Sequence, residues 1–368
     1  MPRPADGART AAPTALLTTS LRRTAMKRRT LLTSAAAALL LAGCAEGESA
    51  SNPSGGAASA AGTASAGTLT LDFATYNPLS LVIKDQGWLE AALADQGVSV
   101  EWVQSAGSNK ANEALRGGAI DVGSTAGSAA LLARSNGSKI KTIDVYSQPD
   151  WSALVTRPDS GITSVADLRG KQVAATTGTD PYFFLVQALA TEGMTVADIT
   201  VQNLQHADGR TALDTGQVDA WAGLDPIMAA AEAESGDVRF YTNVAFNSYG
   251  FLNATEEFLT ASPDLAQVVV DTYEHARAWA QENPEETAQI LADVAGLDLA
   301  VASTVIEDRS NLDVDNVPGQ AQLDVLSIIG PIFVESGDVA SQDQVDEALD
   351  TLLEPTYAED ADPSAIAD

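Results

Sequence analysis

From Thr68 onward the chain alternates between two hydrophobic periods. Leu69-Thr70-Leu71-Asp72-Phe73-Ala74 and Val98-Ser99-Val100-Glu101-Trp102-Val103 alternate apolar and polar positions, the period-two signature of strands. Between them, the Leu- and Ala-rich run from Leu81 to Leu93 predicts a helix interrupted at Gly87. Asn109 to Arg116 predicts a short helix, which the pair Gly117-Gly118 stops, because glycine accepts the left-handed conformation that ends helices. The same grammar continues with strand Ile120–Gly123, helix Ala126–Arg134 and strands at Lys139–Tyr146 and Ser152–Thr156. It restarts with strand Lys171–Ala175 and helix Pro181–Glu192, then strand Ile199–Leu204 and helix Gly209–Thr215. Strand Val218–Ala222 and helix Pro226–Glu234 close this series, and beyond residue 250 long amphipathic helices are predicted near 263–281, 284–295 and 319–336.

Repeated strand–helix units imply parallel sheets covered by helices. The pattern therefore predicts an α/β protein of two lobes, with a C-terminal helical stretch returning to the first lobe. No internal repeat of fixed period is present.

Composition narrows the functional classes. Across 368 residues there are 20 Lys and Arg against 50 Asp and Glu, a net charge of −30. That balance argues against nucleic-acid binding, which needs a concentrated cationic face. One cysteine excludes a disulfide scaffold and a Cys-based zinc site, and two well-separated histidines argue against a His-rich metal centre.

The charge is uneven. Residues 1–43 carry seven basic side chains and one acid, Asp6, which leaves 13 basic and 49 acidic residues beyond them. Met26-Lys27-Arg28-Arg29 followed by the apolar run Leu31–Leu41 has the layout of an export signal, too short to be a stable membrane span. It ends in Leu41-Ala42-Gly43-Cys44, which resembles the lipobox of bacterial lipoproteins. On this reading residues 1–43 are a signal segment with its start at Met26, and Cys44 is the lipidation site. Residues 44–67, rich in Ser, Gly and Ala, are a flexible lipid-anchored tether. Arg28-Arg29 leaves both the general and the twin-arginine export routes open.

Candidate chemistry gathers at strand-to-helix junctions, where helix N-termini offer unpaired N–H groups. Four junctions are rich in small polar residues: Tyr76-Asn77-Pro78, Gly123–Ser128, Thr176–Pro181 and Gly223–Pro226. Taken singly, Asp180-Pro181 and Asp225-Pro226 read as helix caps followed by a first-turn proline. Taken together, junctions from both lobes predict a shared cleft.

Five segments then occur in order: Tyr76-Asn77-Pro78-Leu79, Glu113 to Gly123, Ser164 to Lys171, Val218-Asp219-Ala220-Trp221 with Asp225-Pro226, and Tyr249-Gly250-Phe251. Together, over roughly residues 68–352, the chain resembles the substrate-binding proteins of ABC importers for aliphatic sulfonates, taurine and nitrate. The resemblance implies a two-lobed periplasmic-binding-protein-like fold of type II, each lobe a mostly parallel sheet with flanking helices. It implies two hinge crossings, placed near 153–158 and 241–247. Lobe 1 is then 68–155 plus 246–368, and lobe 2 is 156–245. It further implies a non-enzymatic, monomeric, extracytoplasmic protein on the cell membrane, whose partners are a small-molecule ligand and the permease and ATPase subunits, with no cofactor and no metal.

The ligand-binding residues expected are Tyr76, Asn77, Ser124, Thr125, Ser128, Thr177, Gly178, Thr179, Asp180, Asp225 and Tyr249. Members of this family often carry an acid at the position of Gly127, a lysine at that of Thr177 and a small residue at that of Asp180. With those departures a zwitterion such as taurine, or an alkanesulfonate, is the expected solute: helix N-termini for the sulfonate, Asp180 or Asp225 for an ammonium. Nitrate, a small heterocycle or thiamine precursor, and an enzyme on the same fold are the alternatives. Enzymes of the thiamine-pyrimidine type imply a pocket histidine and a cysteine-rich iron motif, which one cysteine cannot supply.

The remaining candidates have simpler expectations. Trp88, Trp102, Trp151 and Trp279 are assigned to lobe packing, while Trp221 is open between packing and pocket wall. His206 is expected to cap a helix facing the cleft, His275 to be a surface or packing residue of its helix, and Arg210 to be a solvated surface charge rather than an anion contact.

Overall fold

A computed structural model describes residues 67–367. The signal segment, Met26, Cys44 and the tether up to residue 66 lie outside the described residues.

Two five-stranded sheets form the described part. The first contains β1 (Thr68–Phe73), β2 (Ser99–Gln104), β3 (Val122–Ala126) and β4 (Ile140–Ser147). The second contains β5 (Ser152–Thr156), β6 (Gln172–Ala175), β7 (Thr200–Asn203), β8 (Ala220–Leu224) and β9 (Val238–Tyr241). β10 (Gly250–Thr255) returns to the first. The strand orders are β2-β1-β3-β10-β4 and β7-β6-β8-β5-β9, so the two lobes share one topology.

Each sheet is mixed and, as expected, mostly parallel: four strands run one way and one runs against them. β1 runs parallel to β2 and β3, but β10 is antiparallel to both β3 and β4. Likewise β6 is parallel to β7 and β8, while β5 is antiparallel to β8 and β9. The reversed strand in each sheet is the first one after a crossing. It enters from the other lobe without the helical crossover that a parallel connection requires. Apolar alternation carries no information about strand direction.

The first crossing also shifts. β5 pairs residue by residue with β8, Ser152 opposite Leu224 and Thr156 opposite Ala220, so it belongs to lobe 2. The chain therefore changes lobe at 148–151 rather than at 153–158, and returns at 242–249.

The helices explain themselves locally. The predicted interruption at Gly87 separates α1 (Pro78–Gln86) from α2 (Trp88–Leu93), and Gly87 has φ +69°, which favours glycine. α3 (Ser108–Arg116), α4 (Gly127–Ser135), α5 (Asp180–Thr191), α6 (His206–Asp214) and α7 (Ile227–Ser235) follow strands β2, β3, β6, β7 and β8. At the start of β10 a Cβ on Gly250 would come within 2.4 Å of the Tyr146 ring, which is why that strand opens with glycine.

The C-terminal helices do more than return to lobe 1. After α8 (Glu256–Ala261), α9 (Pro263–Glu282) packs Val269, Val270, Tyr273 and Ala276 into the lobe 1 core. α10 (Pro284–Ala295) and α11 (Leu299–Ser303), the latter running on into a π-type turn at Thr304–Arg309, bury Leu291, Ala302 and Val305 between Leu81 of lobe 1 and Ala229 of lobe 2. α12 (Gln320–Ser336) bridges the lobes on the opposite flank, setting Phe333 against Phe183 of α5 at a ring separation of 4.7 Å. Two apolar seams thus join the lobes, and polar side chains also meet between them at Asp180 and Asp225.

Candidate functional site

The interlobe face is built from helix N-termini. α3, α4, α5 and α6, two from each lobe, start without a side-chain cap. Their first N–H groups and their aligned dipoles make this face favourable to negative charge.

Asp180 is the centre of it. The sequence Asp180-Pro181 resembles a cap followed by a first-turn proline, but the cap position is Thr179 and Asp180 is the first residue inside α5. Its carboxylate is thereby released from capping its own helix and crosses to other segments. Oδ1 accepts the hydroxyls of Ser128, at the N-terminus of α4, and of Ser248, each at 2.6 Å. Oδ2 accepts the Trp151 indole N–H at 2.8 Å and the Ser248 backbone N–H at 2.9 Å. Those four donors come from lobe 1 and from both crossings. Asp180 is 1 % exposed, and burial pushes its carboxyl up, against the pull of Ser128, Ser248 and Trp151.

Trp151 connects this carboxylate to a narrow cavity. Its ring meets Tyr76 edge-on at 6.1 Å, and Tyr76 donates its hydroxyl to the Ser124 carbonyl at 2.9 Å. The cavity is walled by Tyr76, Trp151, Ser147, Asp225, Arg309 and Ser310 and holds about 10 Å³, the space of roughly one water.

Asp225 closes the far side. It stands one residue before the Pro226 cap of α7, its Oδ1 accepts the Ala229 N–H at 2.9 Å, and both of its oxygens lie 3.2 Å from Nη1 of Arg309. Burial pushes its carboxyl up to about 6, with Arg309 opposing. Arg309 also binds Glu232 at 2.7 Å. An ammonium group would compete with this guanidinium for Asp225.

Beneath Tyr76 lies Asp72, which is 1 % exposed. Its Oδ1 accepts the Ser124 N–H at 2.8 Å and the Ser124 hydroxyl at 3.0 Å, and burial raises its carboxyl to about 7.

The expected residues divide accordingly. Tyr76, Ser128, Asp180 and Asp225 are brought together, with Ser124 supporting Tyr76 from below. Asn77 and Thr125 are not: Asn77 caps α1 and donates to the Tyr273 hydroxyl at 3.2 Å, while Thr125 binds Asn253 and the Ala126 carbonyl inside lobe 1. Thr177, Gly178 and Thr179 form the turn that delivers Asp180. Thr179 donates to the Thr176 carbonyl at 2.6 Å, the Thr177 N–H is held by Asn203, and Gly178, at φ +76°, faces Asn109 and Leu132 of lobe 1. Tyr249 contributes its carbonyl, which accepts the Gly127 N–H at 2.8 Å.

Three participants were not anticipated. Trp151 is expected from the sequence to pack within a lobe, Ser248 stands just outside the Tyr249-Gly250-Phe251 motif, and Arg309 lies far along the chain with no local signal. Trp221 is a packing residue, 1 % exposed, among Ala174, Leu213 and Met228 in lobe 2. His206 starts α6 and is fully enclosed. Thr176 donates its hydroxyl to the Leu204 carbonyl, so the His206 Nδ1, 3.2 Å away, carries the proton and Nε2 is an acceptor facing Gly107 of lobe 1. Burial lowers its pKa to about 4, so it is neutral near pH 7. Arg210 binds Glu234 and Asp214 at the surface. Among the described residues no group of three His, Cys, Asp or Glu is placed to hold a metal ion.

Two lobes of common topology, joined by two crossings and meeting at the Asp180 and Asp225 clusters, have the architecture of the periplasmic-binding-protein fold. The chain belongs to the NMT1/THI5-like family, whose model matches residues 80–287. It is 30 % identical over 212 residues to an aliphatic sulfonates-binding protein of Escherichia coli (strain K12), an alignment spanning 57 % of this chain and 66 % of that relative. Its fold matches the alkanesulfonate-binding protein SsuA from Xanthomonas axonopodis pv. citri, solved bound to MOPS, with a TM-score of 0.69 and 25 % identity over 76 % of this chain and 97 % of that one. The periplasmic aliphatic sulphonate binding protein SsuA from Escherichia coli matches with a TM-score of 0.67 and 25 % identity, covering 78 % and 92 %. The chain is thus homologous to SsuA-type binding proteins.

Proposed function

We propose that this protein is the solute-binding component of an ABC importer and captures a small organosulfonate, an alkanesulfonate or taurine, between its lobes for delivery to a permease and its ATPase. The observation that carries the reading is the set of neutral donors from both lobes and both crossings, the Ser128 hydroxyl, the Trp151 indole and the Ser248 amide and hydroxyl, converging on one anionic group. Neutral, fixed donors suit a weakly basic monoanion, since no counter-charge has to be desolvated. The family membership and the sulfonate-binding relatives support the same solute class.

Mechanistically the protein is a clamp. A solute that contacts both lobes has differential affinity for the closed form and shifts the population toward it, and the closed surface is what a permease distinguishes from the open one. No bond is made or broken, and the protein has no catalytic role. Export, lipidation at Cys44 and a monomeric state on the outer face of the membrane complete the proposal, with support from the basic and apolar start and from the Leu41-Ala42-Gly43-Cys44 motif.

Thermal-shift screening of ethanesulfonate, taurine, nitrate and small heterocycles, followed by calorimetric titration, tests the reading. A sulfonate at a hundredfold excess over its Kd is expected to add about 2.7 kcal/mol of stability. A response to nitrate or a heterocycle, with none to any sulfonate, would overturn the assignment.

A further inference from the structure

The donor set at the interlobe face is occupied by the protein itself. Asp180 sits at the N-terminus of α5 and reaches across to the N-terminus of α4, so one carboxylate lies where two helix dipoles and four hydrogen-bond donors converge. Among the described residues no Lys or Arg pairs with it, and every donor it uses is neutral. We propose that Asp180 is an internal ligand and a specificity-determining residue: its carboxylate fills the anion site, and an anionic solute enters only by displacing it.

The proposal rests on the sulfonate reading for the identity of the solute, but not for the existence of the site. The physical argument is competition. A sulfonate has three acceptor oxygens of one charge, and the Ser128, Trp151 and Ser248 donors can satisfy that group or the Asp180 carboxylate, not both. Two unit charges about 4 Å apart repel by about 4 kcal/mol at an effective dielectric of 20, so the two anions cannot share this pocket cheaply. A purely structural crosslink would need no such focus. The apolar seams at Phe183–Phe333 and at Leu81–Ala229 already hold the lobes together on both flanks.

Three proteins test it: wild type, D180A, which vacates the site, and D180N, which keeps its shape and so guards against a folding failure. Calorimetric titration with ethanesulfonate at pH 7.5 is expected to give at least tenfold tighter binding to D180A than to wild type, with D180N between them. Sodium acetate, a free copy of the missing side chain, is expected to raise the melting temperature of D180A and to leave wild type unchanged at equal ionic strength. Ethanesulfonate binding equally to all three proteins, with acetate inert toward D180A, overturns the role of Asp180 and leaves the sulfonate reading intact. Acetate stabilising D180A while no sulfonate binds any of the three upholds the internal ligand and removes the sulfonate reading.

Discussion

Asp72 and Asp180 are both buried carboxylates at the edge of the same cleft, and they serve opposite ends. Asp72 lies on β1 and takes its donors from Ser124 on β3, two strands of one sheet. Asp180 lies in lobe 2 and takes all four of its donors from lobe 1 or from the crossings. A carboxylate satisfied within its own lobe moves with that lobe and contributes to folding. One satisfied across a lobe boundary is broken each time the lobes part, and so acts on closure and on what may bind. Burial and pKa direction, which the two share, do not distinguish these roles; the origin of the donors does.

Changes confined to one lobe should unfold it, and the largest effect is expected where packing is tightest. Trp221→Ala removes a fully buried indole from the lobe 2 core and should cost about 3–5 kcal/mol in urea denaturation, while a ligand that still binds the folded fraction keeps its affinity. A large change in affinity with no change in stability would place Trp221 in the pocket wall instead.

Asp72 supplies the next effect, through pH. Its carboxyl is raised from 3.8 to about 7, so the folded state holds the proton more tightly than the unfolded chain does. Its share of stability is therefore complete below about 3.8 and is lost as pH rises through about 7, on the order of 4 kcal/mol between the limits. Asp225, raised to about 6, acts in the same sense. His206 acts in the other: its stabilisation is complete above 6.5 and is lost as pH falls towards about 4. Melting curves of wild type and Asp72→Asn between pH 5 and 8.5 separate these contributions. The alkaline loss should shrink in the variant, and parallel curves would refute the assignment.

Ser128→Ala is expected to have the smallest effect on folding, about 1–3 kcal/mol, because one of four donors to a buried charge is removed. Since that donor crosses the lobe boundary, small-angle scattering of the free protein should show a shift toward open forms that Asp72→Asn does not produce. Equal scattering from the two variants would erase the distinction drawn between the carboxylates.

Much of the architecture was legible along the chain. Period-two and helical-period runs marked the strands and helices to within a few residues, because each buries one face and the pattern must follow that face. Gly87 and Gly117 announced helix ends. The misreadings share one cause. Ser152–Thr156 has the pattern of a strand, but which sheet it joins depends on Ala220–Leu224, some seventy residues later. Asn77 and Thr125 occur at the right junctions, yet their side chains are consumed by Tyr273 and Asn253 inside lobe 1. Trp151, Ser248 and Arg309 join the interlobe cluster only because two crossings and a distant turn meet there.

The sequence by itself determined the alternation of elements, the number of lobes and the concentration of small polar residues at strand ends, since these follow from local propensity and from which face of each element must be dry. Tertiary structure alone decided which strand of each sheet runs reversed, the crossing positions and the partners of each buried polar group. Those depend on contacts between residues distant in sequence, and a buried carboxylate acquires its role only from whichever donors the closed chain brings to it.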